Sequence, residues 1–129
     1  MGKTIKFGRM NCSELPTKKS GDMKGITLTG KGKVKLQVLR FSRDTNIFCT
    51  ISVDDEFLIK DVNTLNFAHV EYIPYNDKEG EVLELDGIEF EKECVIGFYA
   101  DPDCNPTIDR RVRFTSASWI KYIAWMEEE

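Results

Sequence analysis

From Lys33 to Val53 apolar and polar residues alternate with a period of two, in two runs separated by a short polar break. Val34, Leu36 and Val38 share one face of the first run; Ile47, Cys49, Ile51 and Val53 share one face of the second. In a strand, alternate side chains stand on the same side, whereas a helix would scatter these residues around its axis. The stretch therefore predicts two β-strands, joined as a hairpin through Ser42–Asn46, at the middle of an all-β core.

The same pattern recurs along the chain. Thr4–Phe7, with Ile5 and Phe7 on one face, and Gly25–Thr29 are short alternating runs, and Glu56–Lys60 is another. Phe67–Ile73 stops at Pro74, which cannot donate to a ladder and so belongs at an edge or a strand end. Asp86-Gly87, flanked by apolar residues, predicts a tight hairpin turn. Cys94–Ala100 is nearly all apolar, as in a strand buried on both faces. Arg111–Thr115 places Val112 and Phe114 on one face. Ser118–Met126 fits two periods. A helix would gather Trp119, Ile120, Tyr122, Ile123 and Met126, but Glu127–Glu129 would then lie at the wrong end of the helix dipole. A closing strand is the better reading.

Nine or ten short strands with closely spaced turn signals predict a two-sheet antiparallel β-sandwich, jelly-roll-like, with little or no helix. A small OB-like barrel is the alternative. Pro16 and Gly21 break any period over residues 9–23, so residues 1–23 read as an N-terminal strand plus a basic extended arm and 24–129 as the sandwich. A chain of 129 residues can bury about two-thirds of its unfolded surface without metal or disulfide staples. Its four cysteines form no C-x-x-C pair, and Cys49 reads as a buried thiol. No apolar segment marks a secretory signal or a membrane span. The expected location is a virion or the cytoplasm of the producing cell.

Charge is divided unevenly. Residues 1–43 hold eleven basic against two acidic residues, a net of +9; residues 44–129 hold seven against twenty, a net of −13. Such an asymmetry points to partners. Lys18, Lys19, Lys31, Lys33 and Lys35 on the basic side, and Glu79, Glu81, Glu84 and Glu89 on the acidic side, are the interface candidates. The acidic body argues against nucleic acid as the main partner.

Catalytic patterns are scarce. The chain has no Gly-x-Ser-x-Gly, P-loop or His-Glu-x-x-His motif, and His69 is its only histidine. Glu84 and Glu89, facing across the expected Asp-Gly turn, read as a solvated face rather than a glycosidase pair. Asp101, Asp103, Asn105 and Asp109 follow the first half of a calcium-loop pattern. Pro106 then replaces the glycine of the sharp turn and Val112 the bidentate glutamate, so an Asx- and Pro-rich connection is the expectation and a weak, non-EF calcium site the alternative. Neither a cofactor nor a catalytic residue is expected.

Tyr72, Tyr75, Tyr99, Trp119, Tyr122 and Trp125 form an aromatic set, of which Trp119, Tyr122 and Trp125 are the candidates for stacking on a sugar. The leading expectation is a non-enzymatic structural protein. Its most concrete version is a small phage or virus particle component (capsid decoration, tail or fibre-associated) that contacts copies of itself and neighbouring subunits. A carbohydrate- or ligand-binding module is the second reading. An inhibitor that binds a host protein through acidic hairpins is the third.

Overall fold

In a computed structural model, residues 2–42, 44–76, 78–102 and 113–127 are described. They form nine strands: β1 (Lys3–Asn11), β2 (Lys24–Thr29), β3 (Gly32–Phe41), β4 (Asn46–Val53), β5 (Glu56–Asn63), β6 (Ala68–Tyr75), β7 (Lys78–Phe90), β8 (Glu93–Asp101) and β9 (Trp119–Glu127). Five make one sheet in the order β1-β9-β3-β7-β6, and four make the other in the order β2-β8-β4-β5. Every strand pairing is antiparallel. The sheets pack face to face, so the fold is a sandwich rather than a closed barrel.

The order is that of a jelly-roll. With β6 set aside, β1 pairs with β9, β2 with β8, β3 with β7 and β4 with β5, as in one long folded ribbon. Wrapping that ribbon brings β3 beside β9 and β4 beside β8. β6 is an added strand at the edge next to β7, and Pro74 lies within it, where a missing donor does least harm.

One core fills the space between the sheets. Val34, Leu36 and Val38 of β3 enter it from the five-stranded sheet, and Ile47, Cys49 and Ile51 of β4 from the other. β3 and β4 are therefore not a hairpin, contrary to the reading of Lys33–Val53. Alternation identifies a buried face, but it does not say whether the next strand lies beside the first or opposite it. The link between them crosses from sheet to sheet. It is held by the buried carboxylate of Asp44, which accepts hydrogen bonds from the Phe41 and Thr115 amides (both 2.9 Å) and from the hydroxyls of Ser118 (2.6 Å) and Thr115 (3.0 Å).

Asp86-Gly87 is likewise not a hairpin turn. β7 runs straight through it: Leu85 faces Leu36 and Ile88 faces Val34, so Asp86 and Gly87 together oppose Lys35. This is a β-bulge, and Gly87 takes φ +80°. The pair satisfies a demand for positive φ that turns and bulges share. The bulge keeps Leu85 and Ile88 directed at the same core despite the odd spacing.

The C-terminal segment is a strand, and an internal one, between β1 and β3. Its Tyr122 ring lies where a Cβ on Gly8 would be, so the glycine of β1 makes room for it. Residues 1–23 contribute β1 and two short 3-10 turns, Cys12–Glu14 and Lys18–Ser20. Cys12 and Leu15 are core residues, and the Pro16 carbonyl accepts from the Ala100 amide at 2.8 Å. Of the run Arg111–Thr115, residues 111 and 112 lie outside the described residues and 113–115 belong to no strand.

Candidate interaction surface

The outer face of the five-stranded sheet is built by residues that alternate with the core set. Register places Ile5 of β1 beside Trp125 of β9, and Trp125 beside Lys33 of β3. One row along, Phe7 stands beside Ile123, which stands beside Lys35. Arg9, Lys121 and Gln37 form the next row. Directly opposite residues of an antiparallel pair share a face and touch, so these rows are continuous. Phe7 is 72% exposed, the most exposed large apolar side chain among the described residues, and Ile5 is 48% exposed.

Depressions mark this face. A groove of about 580 Å³ is lined by Lys3, Lys33, Asp86, Glu89 and Trp125 among others, and a smaller one of about 130 Å³ lies beside Phe7, Lys35, Lys121 and Ile123. Farther along, Leu39, Phe41 and Val82 form a small second cluster closed by Ile73, Ala117 and Trp119.

Many of the candidate interface charges are satisfied within the chain. Lys31 pairs with Glu91 at 3.6 Å and Glu127 at 3.7 Å, Lys35 with Glu84 at 3.7 Å, and Lys18 with Asp101 at 3.5 Å. Arg40 pairs with Glu81 at 3.4 Å, and Gln37 donates to Glu84 at 2.8 Å. Lys19, Lys33, Glu79 and Glu89 make no ion pair among the described residues. Neither do Lys3, Lys6 and Arg9, the three cations of β1. Sequence reasoning put none of these three among the candidates, and it placed Ile5 and Phe7 simply on one face of a first strand. The signal was available: cations interleaved at three positions of a short strand mark a sheet edge.

Opposite charge collects at one end of the sandwich. Asp54 and Asp55, both at positive φ, form the β4–β5 turn, and Glu56 follows. The Asp54 carboxylate accepts from the amides of Glu91, Lys92 and Glu93 at 2.7–3.0 Å, which binds this turn to the β7–β8 turn. Those three backbone hydrogen bonds hold its pKa below the ordinary value of 3.8.

The aromatic candidates separate. Trp125 lines the larger groove. The Lys121 ammonium lies 4.2 Å from the Trp119 ring centre, and Trp119 packs on the second cluster. Tyr122 packs against the main core. They do not form one exposed row. Of the others, Tyr99 is buried and stacks on Phe48 at 5.5 Å, while Tyr72 is exposed and lies 4.0 Å from the His69 ring. Tyr75 packs on Phe41 at 5.7 Å.

Of the calcium-loop candidates, Asp101 is buried at the end of β8 and paired with Lys18. Asp103, Asn105 and Asp109 lie outside the described residues. Among the described residues, no group of three His, Cys, Asp or Glu is placed to hold a metal ion. Glu84 and Glu89 lie along one strand rather than across a turn. Cys12, Cys49 and Cys94 are buried free thiols; burial above all pushes Cys94 up to about 11 and Cys12 up to about 12, and raises Cys49 further. No helix among the described residues is long and apolar enough to cross a membrane.

The class that fold and surface define is an all-β jelly-roll sandwich with an apolar, cation-flanked outer face. The chain matches no protein-family model, and no curated protein matches it at a level that would carry an argument.

Proposed function

We propose that the protein is a non-enzymatic structural protein that works by assembly, as a small component of a phage or virus particle associated with the capsid, tail or fibre. The observation that supports this reading is the separation of unpaired charge on a rigid body. Lys3, Lys6 and Arg9 lie on one sheet edge, while Asp55, Glu56 and Glu93 gather at the turn end. A contact between two different patches of this kind builds rings or larger arrays when repeated. The virus reading adds a class-level analogy, since jelly-rolls serve capsids and lectins alike. The mechanism is passive: the sandwich supplies rigidity, and the charges supply register and affinity.

Native mass by light scattering at two salt concentrations tests this. An assembly at low salt that dissociates at high salt is expected, because exposed charges farther apart than about 10 Å are screened at about 0.1 M. Deleting residues 1–23 is a poor variant, because Cys12 and Leu15 belong to the core. The triple charge reversal Lys3→Glu, Lys6→Glu and Arg9→Glu changes exposed side chains only and is expected to abolish assembly. A monomer at every concentration and salt, unchanged by the reversal, refutes the proposal.

The groove beside Trp125 favours carbohydrate binding as a second reading, since one indole with carboxylates and lysines at its rim suits a sugar ring. Quenching of tryptophan fluorescence by simple sugars, lost in Trp125→Ala, would support it. No response to any sugar would remove it.

A further inference from the structure

We infer that the free edge of β1 is a strand-addition site that takes an acidic, extended segment from a neighbouring subunit of different sequence. The inference rests on the assembly reading above and adds to it a second occupant of that edge: the turn carboxylates of a copy meet its cations by charge alone, whereas a strand of another subunit would also complete its backbone ladder. The five-stranded sheet ends at β1, and among the described residues no strand lies on its outer side. The Asn11 amide at its far end is taken by the Glu14 carboxylate at 2.9 Å, and the outward amides and carbonyls of Ile5, Phe7 and Arg9 are a ready template for another strand.

Proteins commonly protect such edges, and three of the four edges here are protected. β6 carries Pro74 and a register shift between His69 and Glu71. β5 has two register shifts against β4 and puts Asp61 at φ +51°. β2 is only six residues long. β1 has none of these devices: it holds nine residues in unbroken register with β9. Lys3, Lys6 and Arg9 could be read as charge protection alone. Purely protective charge, however, does not account for Phe7 and Ile5 exposed between the cations on the same strand. Together they make a template with a required partner pattern. Apolar side chains belong opposite Ile5 and Phe7, and carboxylates opposite Lys3, Lys6 and Arg9.

Among the described residues, a second copy offers no edge strand with that pattern. β1 against β1 sets like charges opposite one another, which destabilises a ladder. β2 (KGITLT) carries Lys24 and no acid, and the bulges of β5 and β6 interrupt a continuous edge. No strand among the described residues of this chain fits, and the occupant is assigned to another chain. Charge determines which strand is accepted, and the backbone ladder supplies the contact.

The test uses the full chain and a synthetic probe, Glu-Thr-Val-Glu-Val-Thr-Glu, which run antiparallel would place its carboxylates opposite Arg9, Lys6 and Lys3. Its control replaces each Glu by Lys. The acidic peptide is expected to bind and the basic one not. In the Lys3→Glu, Lys6→Glu, Arg9→Glu variant, affinity for the acidic peptide is expected to fall about tenfold or more, the factor carried by three exposed ion pairs. Preference should reverse to the basic peptide, which shows that the variant is folded and its edge intact. Hydrogen exchange must also slow at the β1 amides that do not bond to β9. Binding without that protection, equal binding of both peptides, or no binding of either overturns the inference. Self-assembly at low salt without peptide binding leaves the assembly proposal standing and removes the strand-addition site. Peptide binding by a strict monomer does the reverse.

Discussion

Replacing Asp44 by alanine should unfold the sheet-to-sheet corner at a cost that can be worked out from its partners. The residue is 5% exposed, and its carboxylate receives four hydrogen bonds. Two come from the backbone amides of Phe41 and Thr115, which cannot turn elsewhere; two come from hydroxyls, which can. A buried donor left without a partner costs about 1–3 kcal/mol. Two such amides therefore cost about 2–6 kcal/mol, offset in part because alanine no longer has to strip water from a charge. The net expectation is about 3–4 kcal/mol. A chain of 129 residues has an unfolding entropy near 0.27 kcal/mol/K, so each kcal/mol moves Tm by about 4 °C and the drop should be about 12–16 °C. Asn at the same place keeps one carbonyl acceptor but sets an amide against the Phe41 N–H, and should lose about half as much. Ser118→Ala, which removes only a rotatable donor, should cost about 1 kcal/mol. Urea unfolding followed by circular dichroism measures all three. An Asp44→Ala variant within about 1 kcal/mol of the parent, with an unchanged urea slope, would refute the view that this carboxylate organises the corner.

Three further outcomes follow from other sites. Cys12, Cys49 and Cys94 should resist alkylation in the native protein at pH 8 and react fully in denaturant, because burial keeps their pKa values near or above 11; peptide mapping by mass spectrometry reads this site by site. Asp54 has a folded pKa below 3.8, so its contribution is complete above that pH and is lost as pH falls through the lower folded value; Asp54→Asn should flatten the acid limb of the stability curve, and an unaltered limb would contradict the three-amide clamp. The Thr64 hydroxyl is buried with no partner among the described residues, so Thr64→Val should leave stability equal or raise it by about 1 kcal/mol, and a loss greater than that in thermal unfolding would show that the hydroxyl has an acceptor.

Periodicity made most of the strands legible, because a buried face repeats every second residue whatever its neighbours are. The same fact limited the reading. Val34, Leu36 and Val38 would alternate identically whether β4 lay beside β3 or across the core, and only the crossing link decides between them. Asp86-Gly87 announced a positive φ but not whether the strand turns back or bulges. Pro74 correctly marked an edge. The closing strand was legible from the mismatch of Glu127–Glu129 with a helix dipole, yet its place between β1 and β3 was not, since no local pattern encodes a pairing across more than a hundred residues. The exposed face of β1 was hidden for the opposite reason: Ile5 and Phe7 look like core residues in any window that lacks the sheet around them.

Placing β3 and β4 in different sheets also changes what the charge division means. Read linearly, the +9 and −13 portions meet at the β3–β4 link and point to contacts between copies. In the fold, β3 lies beside β7, so cations of the basic portion face glutamates of the acidic one: Lys35 pairs with Glu84, Arg40 with Glu81, and Lys33 stands opposite Glu89. The Lys35 and Arg40 pairs are only partly exposed, and ion pairs that keep contact with water contribute modestly one by one. Their effect is to consume much of the asymmetry internally and to favour the register in which β3 meets β7. The charge left over is smaller and more localised than the sequence total suggests. On β1 it is three cations with no acidic residue on the strand, along an edge that carries neither proline nor bulge. A surface of that kind selects partners by the sign and spacing of their charges. A long-range attraction between oppositely charged halves would not make that distinction.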